Sequence, residues 1–147
     1  MLSIDTNILL PAVEVSNPDH ARAASFLAAL NERSDVVVSE LVLLELYGLL
    51  RNPAVLVRPL SAPSAVALCQ RFRCHPKWRL LGFAERSKEV HDRLWSLLAE
   101  PGIARRKAYD FRLGLTLLHQ GVDEFATINT KDFASIGFRL VWNPLST

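Results

Sequence analysis

The sequence predicts an α/β fold: a central, mainly parallel sheet of about five strands with helices on both faces. Two observations lead there. Five short stretches, Leu2–Ile4, Val36–Val38, Arg79–Phe83, Phe125–Thr127 and Arg139–Trp142, read as strands. Segments with helical periodicity and helix-capping residues alternate with them, and strands joined through helices pair in parallel and are covered on both sides. In such sheets ligands collect at the carboxyl ends of the strands.

The elements follow in order. Leu2–Ile4 is a short buried strand. Asn17-Pro18-Asp19-His20 reads as a helix start, with Asn17 as N-cap and Pro18 in the first turn, and the helix reaches to about Asn31. Val36-Val37-Val38 is β-branched throughout, and Ser39 caps a helix that ends near Arg51, before Asn52-Pro53. Ser61–Pro63 starts another helix, which runs to about Cys74. Residues 85–99 carry Val90, Leu94, Leu97 and Leu98 on one helical side, and Pro101-Gly102 breaks that helix. Residues 107–120 form the next helix, with Gly121 placed to end it.

A chain of 147 residues, half of them hydrophobic, is long enough for one domain with a substantial core, and we expect residues 1–147 to form it. There is no basic leader and no cleavable apolar stretch, and the apolar run at residues 41–50 is too short to span a bilayer and contains Glu45. The expected location is the cytoplasm, without membrane attachment. Cys69 and Cys74 match neither a metal pattern nor a disulfide framework and are expected to be reduced. Residues 1–60 hold four Lys/Arg against seven Asp/Glu, whereas residues 61–147 hold thirteen against eight. Two clusters carry this excess: Arg71, Arg73, Lys77 and Arg79, then Arg105, Arg106 and Lys107. Basic clusters beside carboxylates suit a polyanion that is held and cut.

The acids in apolar surroundings are the chemical signal. A carboxylate stripped of water must be paired, protonated or metal-bound. Asp5 ends the first strand, where an N-cap and a metal ligand are equally good readings. Glu45 lies among Leu41, Val42, Gly48 and Leu49 on a face that reads as buried; it is a ligand or the partner of Arg51 or Arg106. Gly48, one turn on, would leave room for a phosphate or a metal's water shell. Asp110 is matched by Gly114 one turn on and Arg106 one turn back, so it is a ligand or an ion-pair partner. Asn129 and Asp132 follow the strand at Phe125–Thr127 and are capping or ligand residues. Asn7, Ser39, Thr127 and Asn129 are candidate supporting polar groups. An all-oxygen set favours Mg²⁺ or Mn²⁺. No His or Cys falls at zinc spacing, and no Gly-rich phosphate loop occurs.

Four segments in this order resemble the PIN-domain ribonucleases of the VapC toxin type: Ser3-Ile4-Asp5-Thr6-Asn7-Ile8-Leu9, Ser39-Glu40-Leu41-Val42-Leu43-Leu44-Glu45-Leu46, Tyr109-Asp110-Phe111-Arg112-Leu113, and the run from Ala126 to Phe133. The resemblance implies a three-layer PIN-like fold and a metal site of Asp5, Glu45 and Asp110. The family's fourth position falls in the Thr127–Asp132 turn. Many members carry Asp where this chain has Asn129, so Asp132 is the alternative source of charge. The resemblance also implies an RNA substrate, a cognate antitoxin and a homodimer.

On this reading Mg²⁺ polarises a phosphodiester and a water attacks phosphorus in line. The basic clusters grip flanking phosphates, and Trp78, among Arg71, Arg73, His75, Lys77 and Arg79, either stacks on an unpaired base or packs in the core. An inhibiting partner would carry an Arg or Lys toward the acids and lay apolar residues against Leu46, Leu49, Leu50 and Trp95. The rivals are a non-catalytic RNA- or protein-binding module, and a phosphatase with Asp5 as nucleophile. Asp5-Thr6-Asn7 lacks the Asp-x-Asp of that second class.

Overall fold

The computed structural model describes residues 1–146. Its elements are β1 (Leu2–Ile4), α1 (Thr6–Val13), α2 (His20–Leu30), β2 (Val36–Ser39), α3 (Glu40–Leu50), α4 (Ala62–Arg73), β3 (Arg79–Leu81), α5 (Ser87–Leu98), α6 (Lys107–His119), β4 (Glu124–Ala126), α7 (Thr130–Phe133) and β5 (Leu140–Trp142). The five strands lie in the order β3-β2-β1-β4-β5, and every neighbouring pair is parallel. Helices α1 to α4 pack on one another, and α5 to α7 form a second packed set, giving three layers with the sheet in the middle.

The apolar stretches explain the sheet. Leu2, Ile4, Val36 and Phe125 are fully buried, because helices cover both faces of the central strands. The chain adds β2 and β3 on one side of β1, then crosses to β4 and β5 on the other. This reversal lies between β1 and β4, and opens a crevice at their carboxyl ends where ligands bind in open parallel sheets.

Most local signals act as expected. Ser39 Oγ accepts the Leu41 amide at 3.2 Å and starts α3, and Ser61 Oγ accepts the Ser64 amide at 3.3 Å and starts α4. Gly121 ends α6 with a φ of 85°, which a side chain would strain. The start of α2 differs. Asn17 Oδ1 accepts the Asp19 amide in a turn, so the helix begins at His20, beyond the predicted cap. The strand predicted as Arg79–Phe83 stops at Leu81 and leaves Phe83 exposed. The four-residue α7 was read as a turn, since one turn of helix is too short to show a period.

Ser3 is fully buried in β1, and its hydroxyl is the one buried side-chain polar atom without a partner among the described residues. No helix is long and apolar enough to cross a membrane among those residues.

Candidate active site

The crevice beyond β1 is built on Asp5. The residue leaves β1 in extended conformation, and its Oδ1 accepts the Thr6 amide at 2.8 Å, so it caps α1. The second oxygen accepts the Thr127 hydroxyl from the end of β4 at 2.6 Å. The capping reading is therefore correct, and each oxygen of the carboxylate accepts one hydrogen bond at the edge of the site. Thr127 is itself held by two donors: Asn7 Nδ2 and the Asn129 amide each reach its Oγ1 at 3.0 Å. Asn7 Oδ1 accepts the Ile128 amide at 3.1 Å. Asn7 and Thr127 thus stitch α1 to the β4–α7 turn across the switch point.

Thr6 was not anticipated. Its buried hydroxyl donates toward Glu45 Oε2 at 2.7 Å, and the Val42 carbonyl lies 3.2 Å away. Its place directly after Asp5 was the available sequence signal. Thr6 ties the carboxylate of α3 to the turn that carries Asp5.

One cavity of about 560 Å³ gathers the acids, with Asp5, Glu45 and Asp110 in its wall. Asn7 and Asn129 line it too. The expectation of a buried Glu45 is corrected: the residue is exposed toward this opening, and Gly48 faces open space. Gly114, in contrast, does not make room for a ligand. A methyl there would stand 2.7 Å from Ile136 Cδ1, so the glycine serves close packing of α6. Ser39 is fully committed to capping α3 and does not line the cavity.

Neither anticipated ion pair forms. Among the described residues, no Lys or Arg makes a salt bridge to Asp5, Glu45 or Asp110. Burial raises the Asp5 carboxyl from 3.8 to about 6, with the charges of Glu45 and Asp110 adding to the rise and bonds from Thr127 and Thr6 opposing it. Burial also raises Asp110, helped by the charges of Asp132 and Glu45 and opposed by Lys107 and Arg106. Asp132 behaves oppositely. Lys107 Nζ binds its Oδ1 at 2.5 Å and holds its pKa below the ordinary value. Asp132 is thus a paired acid near Asp110, while Asn129 occupies the cavity wall.

The basic clusters divide. Arg73 grips Glu40 through two nitrogens, and Lys77 lies 3.9 Å from Glu32. Arg79 reaches the Met1 sulfur at the amino-terminal edge of the sheet, away from the acids. Arg71 lines a separate cavity with Trp78. Trp78 is core: it is buried, stacks with Phe72 and His75, and donates to the Leu30 carbonyl at 3.1 Å. None of these four cations lines the acidic cavity. Arg105 and Arg106 are exposed at the amino end of α6, where the helix dipole disfavours cations. The cation that does line the cavity is Arg112, which sequence reasoning passed over.

Mg²⁺ keeps several waters and takes one or two carboxylates plus substrate phosphate, in contrast to Ca²⁺. The site fits that habit. Its donors are oxygens, and among the described residues its two perturbed carboxylates make no salt bridge. Among the described residues, no group of three or more His, Cys, Asp or Glu is placed to hold a metal ion.

A parallel sheet with unpaired carboxylates gathered at its switch point has the architecture of a cation-assisted hydrolase of phosphate esters. Comparison with known proteins narrows this class. The chain is 53% identical to Ribonuclease VapC24 of Mycobacterium tuberculosis over 147 residues, covering 100% of this chain and 99% of that protein. It belongs to the VapC family of PIN-domain ribonucleases. The fold agrees with three solved structures. The M. tuberculosis VapC20 toxin, described as cleaving the sarcin-ricin loop, has a TM-score of 0.68 at 17% identity and covers 94% of this chain and 96% of its own. FitAB bound to a DNA fragment gives 0.66 at 23% identity, covering 100% and 97%. VapBC2 from Rickettsia felis, bound to promoter DNA, gives 0.66 at 16%, covering 97% and 97%. No family model matches the chain.

Proposed function

We propose that this chain is a Mg²⁺- or Mn²⁺-dependent endoribonuclease, the toxin of a toxin–antitoxin pair, with Asp5, Glu45 and Asp110 as its metal site. One observation carries the reading: carboxylates from the end of β1, from α3 and from α6 line one cavity with no cation among the described residues to pair them. When bound, the ion supplies Lewis-acid polarisation of the phosphodiester and its attacking water. The protein's own residues do the rest. Thr127 and Thr6 fix the Asp5 carboxylate in orientation, Thr6 fixes Glu45, and Asn7 holds Thr127. Asp132, bound to Lys107, adds negative field beside Asp110 and is an outer contributor. Arg105 and Arg106 grip flanking phosphates, and their exposure permits it.

Asp5 is poorly placed as a phosphatase nucleophile, since it is buried and both oxygens already accept hydrogen bonds. A non-catalytic module would have no use for uncompensated acids that cost folding energy.

The partner is an antitoxin that brings an Arg or Lys to the acids and displaces the ion. VapBC2 and FitAB are the related structures that prompt this proposal. Leu46 and Leu50 belong to the core and cannot meet the partner; Leu44, Leu49 and exposed Trp95 remain. A homodimer and a cytoplasmic location complete the proposal.

The test is incubation of purified protein with total RNA in Mg²⁺, Mn²⁺ or excess EDTA, followed by sequencing of the new 5′ ends. Discrete ends that vanish with EDTA and with Asp5→Asn are expected. Undiminished cleavage in EDTA would rule the metal site out.

A further inference from the structure

The cavity that holds the acids shares Leu41, Leu44 and Arg112 with a second, largely apolar cavity of about 330 Å³. Arg112 stands in the wall common to both. The residue is half-buried, and it makes neither a salt bridge nor a side-chain hydrogen bond among the described residues. A partly desolvated Arg without a partner is an anion site, and its planar fork matches phosphate oxygens. Each cavity carries one exposed aromatic at its rim. Tyr109 is 77% exposed on the acidic side, on the same stripe of α6 as Arg112 and Leu113. Phe83 is 89% exposed on the apolar side, just past the carboxyl end of β3. Exposure of two large aromatics on either side of one unpaired cation has no use in core packing.

We propose that Arg112 binds the phosphate next to the scissile one, and that Tyr109 and Phe83 stack on the bases on its two sides. The trio selects RNA whose nucleotides are unpaired at the cut, because bases held in a duplex present no open face to either ring. The proposal deepens the ribonuclease reading of the same site, and binding separates the two.

The experiment uses the full chain in excess EDTA, so that nothing is cut, with fluorescein-labelled oligoadenylate alone or annealed to oligouridylate. Anisotropy titrations should show tighter binding of the single strand. Tyr109→Leu and Phe83→Leu should each weaken it roughly 5- to 100-fold, and Tyr109→Phe should retain it. Arg112→Gln should lower the slope of log affinity against log salt by about 0.7, the value for one phosphate on a single strand, and Arg112→Lys should restore that slope. Both rings are exposed, so thermal melts should stay within a few degrees of the parent. Single-strand binding within about twofold for every variant, with an unchanged salt slope, overturns the proposal. So does loss of a protein partner's binding while RNA binding holds, which would assign the surface to that partner. Cleavage in Mg²⁺ is scored separately. If no RNA is cut yet the variants bind as expected, the nuclease reading falls and the base clamp stands.

Discussion

At Asp5 one carboxylate caps a helix and faces a site, and the two roles pull its pKa in opposite directions. Burial and the charges of Glu45 and Asp110 win, and the group sits at about 6 against 3.8 for an exposed Asp. A carboxyl raised on folding stabilises the metal-free protein fully below its unfolded pKa, and that contribution disappears as pH rises through the folded value. The difference in unfolding free energy between the parent and Asp5→Asn, both in EDTA, should grow by roughly 2.5 kcal/mol as pH falls from about 7.5 to about 4. Denaturant unfolding across that range checks this, and a flat difference would show that Asp5 is not raised. Ser3 gives a simpler case. Its buried hydroxyl lacks a partner, so Ser3→Ala should be neutral or stabilising by about 1 kcal/mol in urea unfolding.

At the scale of elements, two glycines one turn beyond an acid look alike in sequence and do different work. Gly48 lies on an exposed part of α3 with nothing within 4 Å, so Gly48→Ala should gain about 1 kcal/mol from helix propensity alone. Gly114 lies against Ile136, which is 2% exposed and cannot retreat. Gly114→Ala should lose roughly 1–3 kcal/mol to overpacking, more than the helix gains. Thermal melts of the two variants should therefore shift in opposite directions. This pair shows where the sequence was legible. Caps such as Ser39 and Ser61 and the break at Pro101-Gly102 act within a few residues, so they can be read locally. Asp5, Glu45 and Asp110 could be singled out because acids in apolar runs are conspicuous. Long-range partners could not be read: Ile136 for Gly114, Lys107 for Asp132 and the Leu30 carbonyl for Trp78 are known only once the chain is folded. Arg112 escaped notice for the same reason, since its lack of a salt bridge among the described residues is a property of three dimensions.

At the scale of the whole molecule, the order β3-β2-β1-β4-β5 is what brings distant acids together. The switch point opens beside β1, Thr127 reaches Asp5 across it, and α3 and α6 approach from the two helical layers. Such a site stores repulsion among its carboxylates, which a cation bound as proposed would relieve. Asp110→Asn should therefore leave metal-free stability unchanged or improved, while reducing the gain from Mg²⁺, which for an ion at about a hundred times its Kd is near 2.7 kcal/mol. Melts with and without Mg²⁺ decide this, and a loss of several kcal/mol in both conditions would make Asp110 a structural residue.

The claim that three carboxylates form one cation site is tested most directly by titrating Mn²⁺ and following free ion by its paramagnetic resonance signal. The parent chain should bind Mn²⁺, and Asp5→Asn, Glu45→Gln and Asp110→Asn should each weaken it at least about tenfold, since affinity follows the charge of the ligand set. Asp132→Asn, which removes an acid already paired with Lys107, should change it by less than about threefold. Mn²⁺ binding that survives all three substitutions, or that collapses only with Asp132→Asn, would contradict the account.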